Sequence, residues 1–429
     1  MHISQLYEIF RQYPTITTDS RNCTGNSVFF ALKGERFDGN DYIEQALESG
    51  VAYAVGDRKN LPEDKRIIRV DNALQTLQDL ANYHRKQMKT IVIAVTGTNG
   101  KTTTKELIAA ALSSKYKTLY TQGNLNNHIG VPLTLLHLEP DHAFAVIEIG
   151  ANHPDEIRSL CRIAEPDYGL ITNVGKAHLE GFGSFKGVVN AKTELYDFLR
   201  EKGGTVFGNL DNRILKIWYD YLPVVYYGVS PDAFVHGKIT TSAPTLALEW
   251  ERGEEKNEIT THLVGNYNFE NVLAAICVAS YFGVEDKKIN YAIENYLPSN
   301  NRSQNQKTEK NQLIIDAYNA NPSSMQVALD NFASLNVSPK MVILGEMNEL
   351  GIYASEEHQK LVNRLNELPW AVVLIGKNFK ECTALNPEWK LFMKTDDLIT
   401  CLQTVSPSGY HILIKGSRGN QLEKAIPYL

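Results

Sequence analysis

A strand, a glycine-rich turn and a helix follow one another directly near residue 100. The run IVIAV (91–95) is β-branched and of strand length, and TGTNGKTTTK (96–105) follows at once. The helix predicted after it has an apolar stripe of Leu107, Ile108, Ala111 and Leu112. Glycines let such a turn point backbone N–H groups at one anion, and the helix N-terminus adds its positive dipole. The order predicts an α/β fold with a phosphate site after this strand.

This loop is expected to hold the phosphates of ATP. Lys101 can reach the β- and γ-phosphates, and the Thr102 hydroxyl suits Mg²⁺. Val95 stands where the usual GxxxxGK[ST] loop has its first glycine, and an extra glycine is present at position 97. The alternative is a glycine-rich turn without a ligand. The predicted nucleotide contacts within the loop are Gly97, Thr98, Asn99, Gly100, Lys101, Thr102 and Thr103.

Apolar runs of strand length recur along the chain and alternate with helical patterns, which indicates parallel sheets covered by helices. They form three segments, so we expect a small α/β domain over residues 1–88, a central parallel-sheet domain over 89–300 and a Rossmann-like α/β domain over 301–429. The polar stretch 298–312 is predicted to be a linker. The predicted strands are 27–34, 51–57, 66–71, 91–95, 144–150, 168–172, 204–209, 313–318, 341–345, 371–376 and 411–417.

Composition narrows the classes of function. The chain has 429 residues and a net charge of -6, which argues against a nucleic-acid-binding protein. No apolar run approaches the roughly 20 residues of a membrane helix, and the first ten residues lack the pattern of a signal peptide. The five cysteines are scattered without metal-ligand spacing. We therefore expect a cytoplasmic protein without membrane insertion.

Two further strand ends carry candidate metal ligands. Glu148 lies near the end of the strand 144–150, and His178 follows the strand 168–172. Ligands of open parallel sheets bind at the carboxyl ends of strands, so both side chains could reach a cation beside the phosphate loop. Each also has an ordinary structural alternative: a salt bridge for Glu148 and a buried hydrogen bond for His178.

Lys192 interrupts an apolar helix face. Ser184 can cap a helix running to about residue 200, in which Val188, Lys192, Leu195 and Leu199 share one face. One interpretation is a lysine whose ammonium group reaches solvent at the edge of the core. The other is a desolvated lysine with a neutral, reactive amine. The pattern alone favours the first.

Eleven segments, one of them the phosphate loop, together resemble the motifs of the Mur ligase family. The resemblance covers nearly the whole chain, and DAYNANPSSM is the most specific motif, because it is typical of the member that adds a dipeptide. The segments besides the phosphate loop are TDSR (18–21), FFALKGERFDGNDYIEQAL (29–47), GNLNNHIGVPLTLL (123–136), EIGANHPDEI (148–157), NVGKAHLEGFGS (173–184), AKTELYD (191–197), LVGNYNFENVLAA (263–275), DAYNANPSSM (316–325), GEMNELG (345–351) and IKGSRG (414–419).

The resemblance implies an activity and its ligands. It implies an ATP-dependent, ADP-forming ligase that couples D-alanyl-D-alanine to UDP-N-acetylmuramoyl-tripeptide through an acyl phosphate, in peptidoglycan precursor synthesis. It further implies Mg²⁺ as cofactor and a carbamylated lysine at position 192. A monomer is expected, and the sequence does not fix the oligomeric state. The first domain would grip the UDP moiety.

The resemblance also implies roles for single residues. Thr102, Glu148, His178 and the carbamate of Lys192 would hold metal ions, and Lys101, Lys192 and His178 would serve catalysis. Nucleotide contacts would come from Asn268, Arg302, Asp316, Asn319 and Asn321, and substrate contacts from Ser20, Arg21, Asn126, Asn127, Lys415, Ser417 and Arg418. The chain departs from the family pattern at Asp155 and Asn301, where glycine is usual, and at Tyr267, where histidine is common.

Rival interpretations remain open from the residues alone. A sister ligase that adds one amino acid, or a folylpolyglutamate synthase, would share the phosphate loop but not DAYNANPSSM. A nucleotide-switch protein would need Lys101 and Thr102 but neither Lys192 nor His178. The sequence does not distinguish diaminopimelate from lysine in the tripeptide.

Overall fold

The computed structural model of the protein describes residues 1–298 and 302–429, and these contain three β-sheets. The strand orders are β1-β2-β3-β4 in the first sheet, β13-β12-β11-β10-β9-β8-β5-β7-β6 in the second and β14-β15-β19-β16-β17-β18 in the third. The strands are β1 (Thr15–Thr17), β2 (Ser27–Phe30), β3 (Tyr53–Gly56), β4 (Ile67–Arg69), β5 (Ile91–Thr96), β6 (Thr118–Tyr120), β7 (Phe144–Glu148), β8 (Tyr168–Ile171), β9 (Thr205–Asn209), β10 (Val224–Gly228), β11 (Val235–Thr241), β12 (Ala247–Arg252), β13 (Glu255–Thr260), β14 (Gln304–Lys307), β15 (Gln312–Asp316), β16 (Lys340–Gly345), β17 (Ala371–Ile375), β18 (Lys390–Phe392) and β19 (His411–Lys415).

Helices connect most of these strands, as the alternating pattern predicts. Short 3-10 helices occupy Ser20–Asn22, Gly39–Tyr42, Gly351–Tyr353, Arg418–Asn420 and Leu422–Tyr428. The α-helices are α1 (Ile3–Gln12), α2 (Ile43–Glu48), α3 (Ala73–Gln87), α4 (Lys101–Ser113), α5 (Gly130–Leu135), α6 (Glu156–Ala164), α7 (Leu179–Phe182), α8 (Phe185–Lys202), α9 (Arg213–Lys216), α10 (Asn268–Tyr281), α11 (Asp286–Glu294), α12 (Pro322–Ser334), α13 (Ala354–Asn366), α14 (Lys377–Lys380) and α15 (Thr395–Thr404).

The predicted α/β class with three sheets is confirmed, with two corrections. The pairs β11–β12 and β12–β13 are antiparallel, so the second sheet is not parallel throughout. The stretch 298–312 is not a simple linker, because it contains β14, which pairs antiparallel with β15. Strands β13 and β14 are largely exposed and lack the apolar runs by which strands were predicted. Hydrogen bonding to β12 and to β15, respectively, holds these two strands in place.

The chain divides into two compact units. One comprises Met1–Ala94, Tyr116–Gly150 and Glu156–Tyr168, and the other comprises Val95–Lys115, Ala151–Asp155 and Gly169–Leu429. In the first unit, α3 packs against α5 and α6, so the predicted domain 1–88 shares a core with part of the predicted central domain. The boundary predicted at 300/301 and the residue Asn301 lie outside the described residues.

Alternate positions of the strands supply the core of the third sheet. Ile315, Ile343, Val373 and Ile414 form one buried cluster with Leu398 of α15. Burying such a side chain contributes about 1.5–3 kcal/mol, which holds the strand ends and the loops after them in place. In the described part of the chain, no helix has both the length and the apolar character needed to cross a membrane.

A buried histidine makes the first unit sensitive to acid. His84 is 5% exposed; its Nδ1 lies 3.1 Å from the Tyr7 hydroxyl and its Nε2 lies 2.9 Å from the Leu138 carbonyl oxygen. Desolvation lowers the pKa of His84 in the folded protein below the ordinary 6.5. Below pH 6.5 the unfolded chain therefore takes up a proton that the folded chain does not, and stability falls as the pH falls.

We expect the free energy of unfolding to fall by up to about 1.4 kcal/mol per pH unit from this histidine between its unfolded and folded pKa values. Urea unfolding of the wild type and His84→Gln at pH 7.5 and 5.5 measures the effect. The variant should lose less stability on acidification than the wild type. An equal loss in both proteins would contradict the role of His84.

Candidate functional site

The glycine-rich loop joins β5 to α4, as predicted. Gly97 has φ 141° and Gly100 has φ 79°, both in the range that favours glycine. A Cβ at Gly97 would lie 2.0 Å from Thr172 Oγ1, and one at Gly100 would lie 2.5 Å from Asn271 Oδ1. Gly97, the glycine that departs from the usual loop pattern, is therefore required by the close approach of Thr172.

The end of β8 holds the loop from one side. The N–H of Thr98 donates to the Asn173 carbonyl oxygen at 2.9 Å, and the N–H of Asn99 donates to Asn173 Oδ1 at 3.0 Å. Thr172 Oγ1 donates to the Asn99 carbonyl oxygen at 2.6 Å. The expectation that the loop points its backbone N–H groups at one anion is thus wrong for Thr98 and Asn99. The N-terminus of α4 is the part of the loop suited to bind phosphate.

The two residues that begin α4 differ in environment. Lys101 is partly exposed, and its Nζ donates to the carbonyl oxygens of Gly97 at 2.8 Å and Thr98 at 3.1 Å. Thr102 is 2% exposed and Thr103 is 7% exposed. The ammonium group therefore lies folded over the loop, close to the backbone that would surround a phosphate.

A chain of buried amides supports α4 from α10. Thr104 Oγ1 donates to Asn271 Oδ1 at 3.0 Å, Asn271 Nδ2 donates to Asn268 Oδ1 at 2.9 Å, and Asn268 Nδ2 donates to the Val264 carbonyl oxygen at 2.8 Å. Asn268 is 1% exposed. Asn268 and Asn271, both in the GxxNxxNxxAA pattern, thus support the helix that follows the phosphate loop.

In the first unit, Glu148 ends β7 and is 1% exposed. Its Oε1 accepts a hydrogen bond from Asn126 Nδ2 at 2.8 Å, and its backbone N–H donates to Thr121 Oγ1 at 2.9 Å. Asn127 is exposed, and its Oδ1 accepts from the N–H groups of Ile129 and Gly130 at 3.1 and 2.9 Å. Asn126 thus orients the Glu148 carboxylate, whereas Asn127 shapes the turn before α5.

Lys192 lies on α8, which begins after Ser184 and runs to Lys202 as predicted. The residue is 1% exposed, its Nζ lies 3.4 Å from the Ala151 carbonyl oxygen, and its Nζ is 5.5 Å from the centre of the Phe182 ring. Val188, Leu195 and Leu199 on the same face are 0% exposed. The interpretation of a lysine that reaches solvent at the core edge is therefore wrong.

His178 contacts a residue that sequence reasoning missed. Its Nδ1 lies against the carboxylate of Glu349, in the loop after β16. The contact with His178 lowers the pKa of the Glu349 carboxyl below its ordinary value, against the effect of burial. Glu349 lies in the segment GEMNELG, and no periodicity or spacing relates that segment to His178.

The DAYNANPSSM segment reaches both the third sheet and the phosphate loop. Asp316 Oδ2 forms an ion pair with Lys415 Nζ at 2.5 Å, and the same Nζ donates to the Asn319 carbonyl oxygen at 3.2 Å. Asn321 caps α12 through Oδ1 and donates from Nδ2 to Asn99 Oδ1 at 2.9 Å. The segment therefore links the end of β15 to the loop between β5 and α4.

Two arginines stack on Tyr318 in this segment. The guanidinium carbon of Arg302 lies 3.8 Å from the ring centre and that of Arg418 lies 5.4 Å from it. Ser417 Oγ accepts from the Asn348 N–H at 2.9 Å. The structure thus brings Arg302 and Arg418 of the predicted set together at one ring. Tyr318, the residue between the arginines, was not singled out.

The predicted UDP-binding residues lie in the first unit on a 3-10 turn. Asp19 caps this turn, and its carboxylate accepts bonds of 2.9 and 2.8 Å from the Arg21 side chain. That hydrogen bonding holds the pKa of Asp19 at about 2. Ser20 is the first residue of the turn, and the Arg21 side chain is 83% exposed. The turn therefore offers a fixed, exposed cation.

Asp155 and Tyr267 account for two departures from the family pattern. Asp155 has φ 65°, a conformation that favours glycine, and its N–H donates to Glu194 Oε1 at 2.8 Å. The Tyr267 hydroxyl lies 3.0 Å from Ser303 Oγ. Burial, with the nearby Asp316 carboxylate, raises the pKa of Tyr267. Both substitutions are thus accommodated by local hydrogen bonds.

Comparisons with known proteins agree over nearly the whole chain. Models of the Mur ligase family match in three consecutive parts: the Mur ligase family catalytic domain at residues 12–85, the Mur ligase middle domain at 95–279 and the Mur ligase glutamate ligase domain at 301–418. A UDP-N-acetylmuramoyl-tripeptide–D-alanyl-D-alanine ligase of Bacillus subtilis is 33% identical over 96% of this chain and 92% of its own length, and that of Escherichia coli has the same identity and coverage.

Solved structures of MurF proteins are also similar to this chain over nearly its whole length. MurF from Acinetobacter baumannii superposes with a TM-score of 0.86 at 30% identity and covers 99% of this chain and 97% of its own. MurF ligase from Thermotoga maritima, solved in complex with ADP, gives a TM-score of 0.85 at 26% identity and covers 97% of both chains.

Proposed function

Because the chain belongs to the Mur ligase family, we propose that it joins D-alanyl-D-alanine to UDP-N-acetylmuramoyl-tripeptide with cleavage of ATP to ADP and phosphate. The observation that carries this proposal is the similarity over 96% of the chain to ligases of that specificity. The phosphate loop and Lys101 support the use of ATP. The product is UDP-N-acetylmuramoyl-pentapeptide, a peptidoglycan precursor made in the cytoplasm, and the enzyme acts as a monomer.

The chemistry begins with activation of a carboxylate. A carboxylate resists attack by an amine because it is negatively charged and lacks a good leaving group. An oxygen of the tripeptide carboxylate attacks the γ-phosphorus of ATP, ADP leaves, and an acyl phosphate results. The amine of D-alanyl-D-alanine then attacks the acyl carbon, loses a proton and expels phosphate. Lys101 and the N-terminus of α4 stabilise the negative charge that develops on the transferred phosphoryl group.

The predicted cation ligands fit Mg²⁺ by their chemistry. The Thr102 hydroxyl and the Glu148 carboxylate supply oxygen, the ligand atom that Mg²⁺ prefers, and both residues are almost fully buried. His178 supplies a nitrogen. Bound Mg²⁺ would polarise phosphoryl oxygens and neutralise their charge. Thr102, Glu148 and His178, with the carbamate of Lys192, are therefore the proposed ligands.

In this proposal, carbamylation gives the Lys192 side chain the two oxygen atoms that would bind Mg²⁺. The neutral amine adds to the carbon of CO₂ and releases one proton, which leaves an N-bound carboxylate in place of a cation. The buried position of Lys192, 1% exposed beside Phe182, supports this reaction, because desolvation disfavours the ammonium form of a lysine.

The remaining site residues are proposed as ligand contacts. Ser20 and Arg21 in the domain 1–88 face the uridine diphosphate, and Asn126 and Asn127 face the substrate. The domain 89–300 carries ATP through its phosphate loop and Asn268. The domain 301–429 completes the nucleotide site with Arg302, Asp316, Asn319 and Asn321 and contacts the peptide end with Lys415, Ser417 and Arg418.

Acceptor choice tests the proposal. We expect phosphate release to require both UDP-muramoyl-tripeptide and D-alanyl-D-alanine, and the dipeptide to be a far better acceptor than D-alanine or D-glutamate. A sister ligase or a folylpolyglutamate synthase would prefer a single amino acid, and a nucleotide switch would need no acceptor. Phosphate release assayed with each acceptor, and with both the diaminopimelate and lysine tripeptides, decides between them. Comparable turnover with a single amino acid would refute the assignment.

A further inference from the structure

The loop between β16 and α13 contacts His178 through one glutamate. The Glu349 carboxylate lies against His178 Nδ1, and the N–H of Glu180 donates to the Glu349 carbonyl oxygen at 3.3 Å. His178 has φ 49° and Glu349 has φ 62°, a left-handed conformation that non-glycine residues usually avoid. Such strain persists where the surroundings hold it and is concentrated at functional sites.

Two buried side chains fix the backbone on the N-terminal side of this glutamate. The N–H of Met347 donates to His358 Nε2 at 3.0 Å, and the N–H of Asn348 donates to Ser417 Oγ at 2.9 Å. His358 is 0% exposed, and its Nδ1 lies 2.7 Å from the Ala354 carbonyl oxygen. Because Nε2 accepts, the ring proton of His358 is on Nδ1. The carboxylate of Glu349 is thus presented to His178 by a rigid backbone.

We propose that Glu349 is a positioning residue that accepts the Nδ1–H of His178 and so leaves the Nε2 lone pair for a divalent cation. The inference rests on the metal role of His178 in the proposed function. An imidazole that binds a metal through one nitrogen almost always donates its other N–H to a carboxylate, a carbonyl oxygen or water. That partner fixes the tautomer and the ring orientation and makes the ligand nitrogen more basic. Cation binding thereby depends on the loop after β16 of the third sheet.

The tautomer of His178 tests the contact directly. We expect ¹⁵N spectra of the histidine-labelled full chain at pH 8 to show His178 protonated on Nδ1, with the signal assigned by its loss in His178→Gln. In Glu349→Ala the Nδ1–H form should decrease in favour of Nε2–H. A wild-type His178 protonated on Nε2 would overturn the proposal.

Metal affinity is the second test. Mn²⁺ binding to the full chain with saturating ADP is measured by electron paramagnetic resonance. We expect Glu349→Ala to raise the Kd about tenfold to a hundredfold, and Glu349→Gln, which keeps an acceptor oxygen, to raise it less. The control is Glu356→Ala, because Glu356 is 61% exposed and pairs with Lys360. The Kd of this variant for Mn²⁺ should equal that of the wild type.

The outcomes separate this inference from the proposed function. Equal Mn²⁺ affinity in the wild type and a folded Glu349→Ala would overturn the role of Glu349 and leave the metal site standing. Absence of Mn²⁺ binding by the wild type would overturn both. A lowered melting temperature of Glu349→Ala would show that truncating the side chain destabilises the protein. In that case the Mn²⁺ affinity of Glu349→Gln and the tautomer of His178 in the wild type decide whether Glu349 positions His178, because neither measurement uses the truncated variant.

Discussion

Replacing Lys101 with alanine should lower kcat by about a hundredfold to a thousandfold, the usual cost of losing one group that stabilises transition-state charge. In the structure the ammonium group donates to the carbonyl oxygens of Gly97 and Thr98. On our proposal it exchanges these partners for phosphate oxygens of ATP. The variant lacks that charge while the transferred phosphoryl group is most negative. Phosphate release at saturating substrates measures the loss.

A matched control is available beyond the other end of the same helix. Lys115 follows α4, is exposed and donates to the Gly283 carbonyl oxygen, so Lys115→Ala should keep nearly full activity. Circular dichroism should show both variants folded. A Lys101→Ala enzyme with more than a tenth of wild-type turnover, a loss below about 1.4 kcal/mol, would refute the role of Lys101.

Replacing Lys192 with alanine should lower turnover at least about a hundredfold, because losing a metal ligand removes several kcal/mol of charge stabilisation. A carbamate offers Mg²⁺ two oxygens that alanine cannot replace. Added acetate can occupy the space of the missing side chain and should restore part of the activity. Ligation assays with and without acetate measure both effects.

The covalent state of Lys192 has its own measurement. Wild-type enzyme given ¹³C-labelled bicarbonate should show a carbamate signal by carbon NMR, and Lys192→Ala should not. Lys186→Ala is the control, since Lys186 is exposed on the first turn of the same helix, and it should keep the signal and the activity. Full activity of Lys192→Ala without bicarbonate would defeat the carbamate proposal.

Local patterns predicted much of this molecule. The strand–turn–helix order located the phosphate loop, and the spacing of Val188, Leu195 and Leu199 placed Lys192 on a buried face. Both patterns involve residues that are close together in the sequence. Periodicity could not show that the lysine is buried to its end, because that depends on Phe182 and Ala151, which lie in other segments.

Contacts between residues that are far apart in the sequence could not be predicted from local sequence patterns. Asn173 accepts hydrogen bonds from two N–H groups of the phosphate loop, although it lies more than seventy residues after that loop in the sequence. Glu349 meets His178 only because the loop after β16 folds back onto α7. The antiparallel strand β13 was missed because its residues are largely exposed, and pairing with β12 rather than an apolar run holds it in place. The sequence therefore predicted the candidate site residues but not the residues from distant segments, such as Asn173 and Glu349, that hold them in place.

In the proposed reaction, the carboxylate of the tripeptide is activated as an acyl phosphate. The most direct measurement uses UDP-muramoyl-tripeptide with ¹⁸O in both oxygens of its terminal carboxylate, together with ATP, Mg²⁺ and D-alanyl-D-alanine. One ¹⁸O should leave with phosphorus, so mass spectrometry should find one ¹⁸O in each released phosphate and one in the new amide of the pentapeptide product. Pentapeptide formed with phosphate free of ¹⁸O would contradict the acyl-phosphate mechanism, and the absence of pentapeptide would contradict the assigned function.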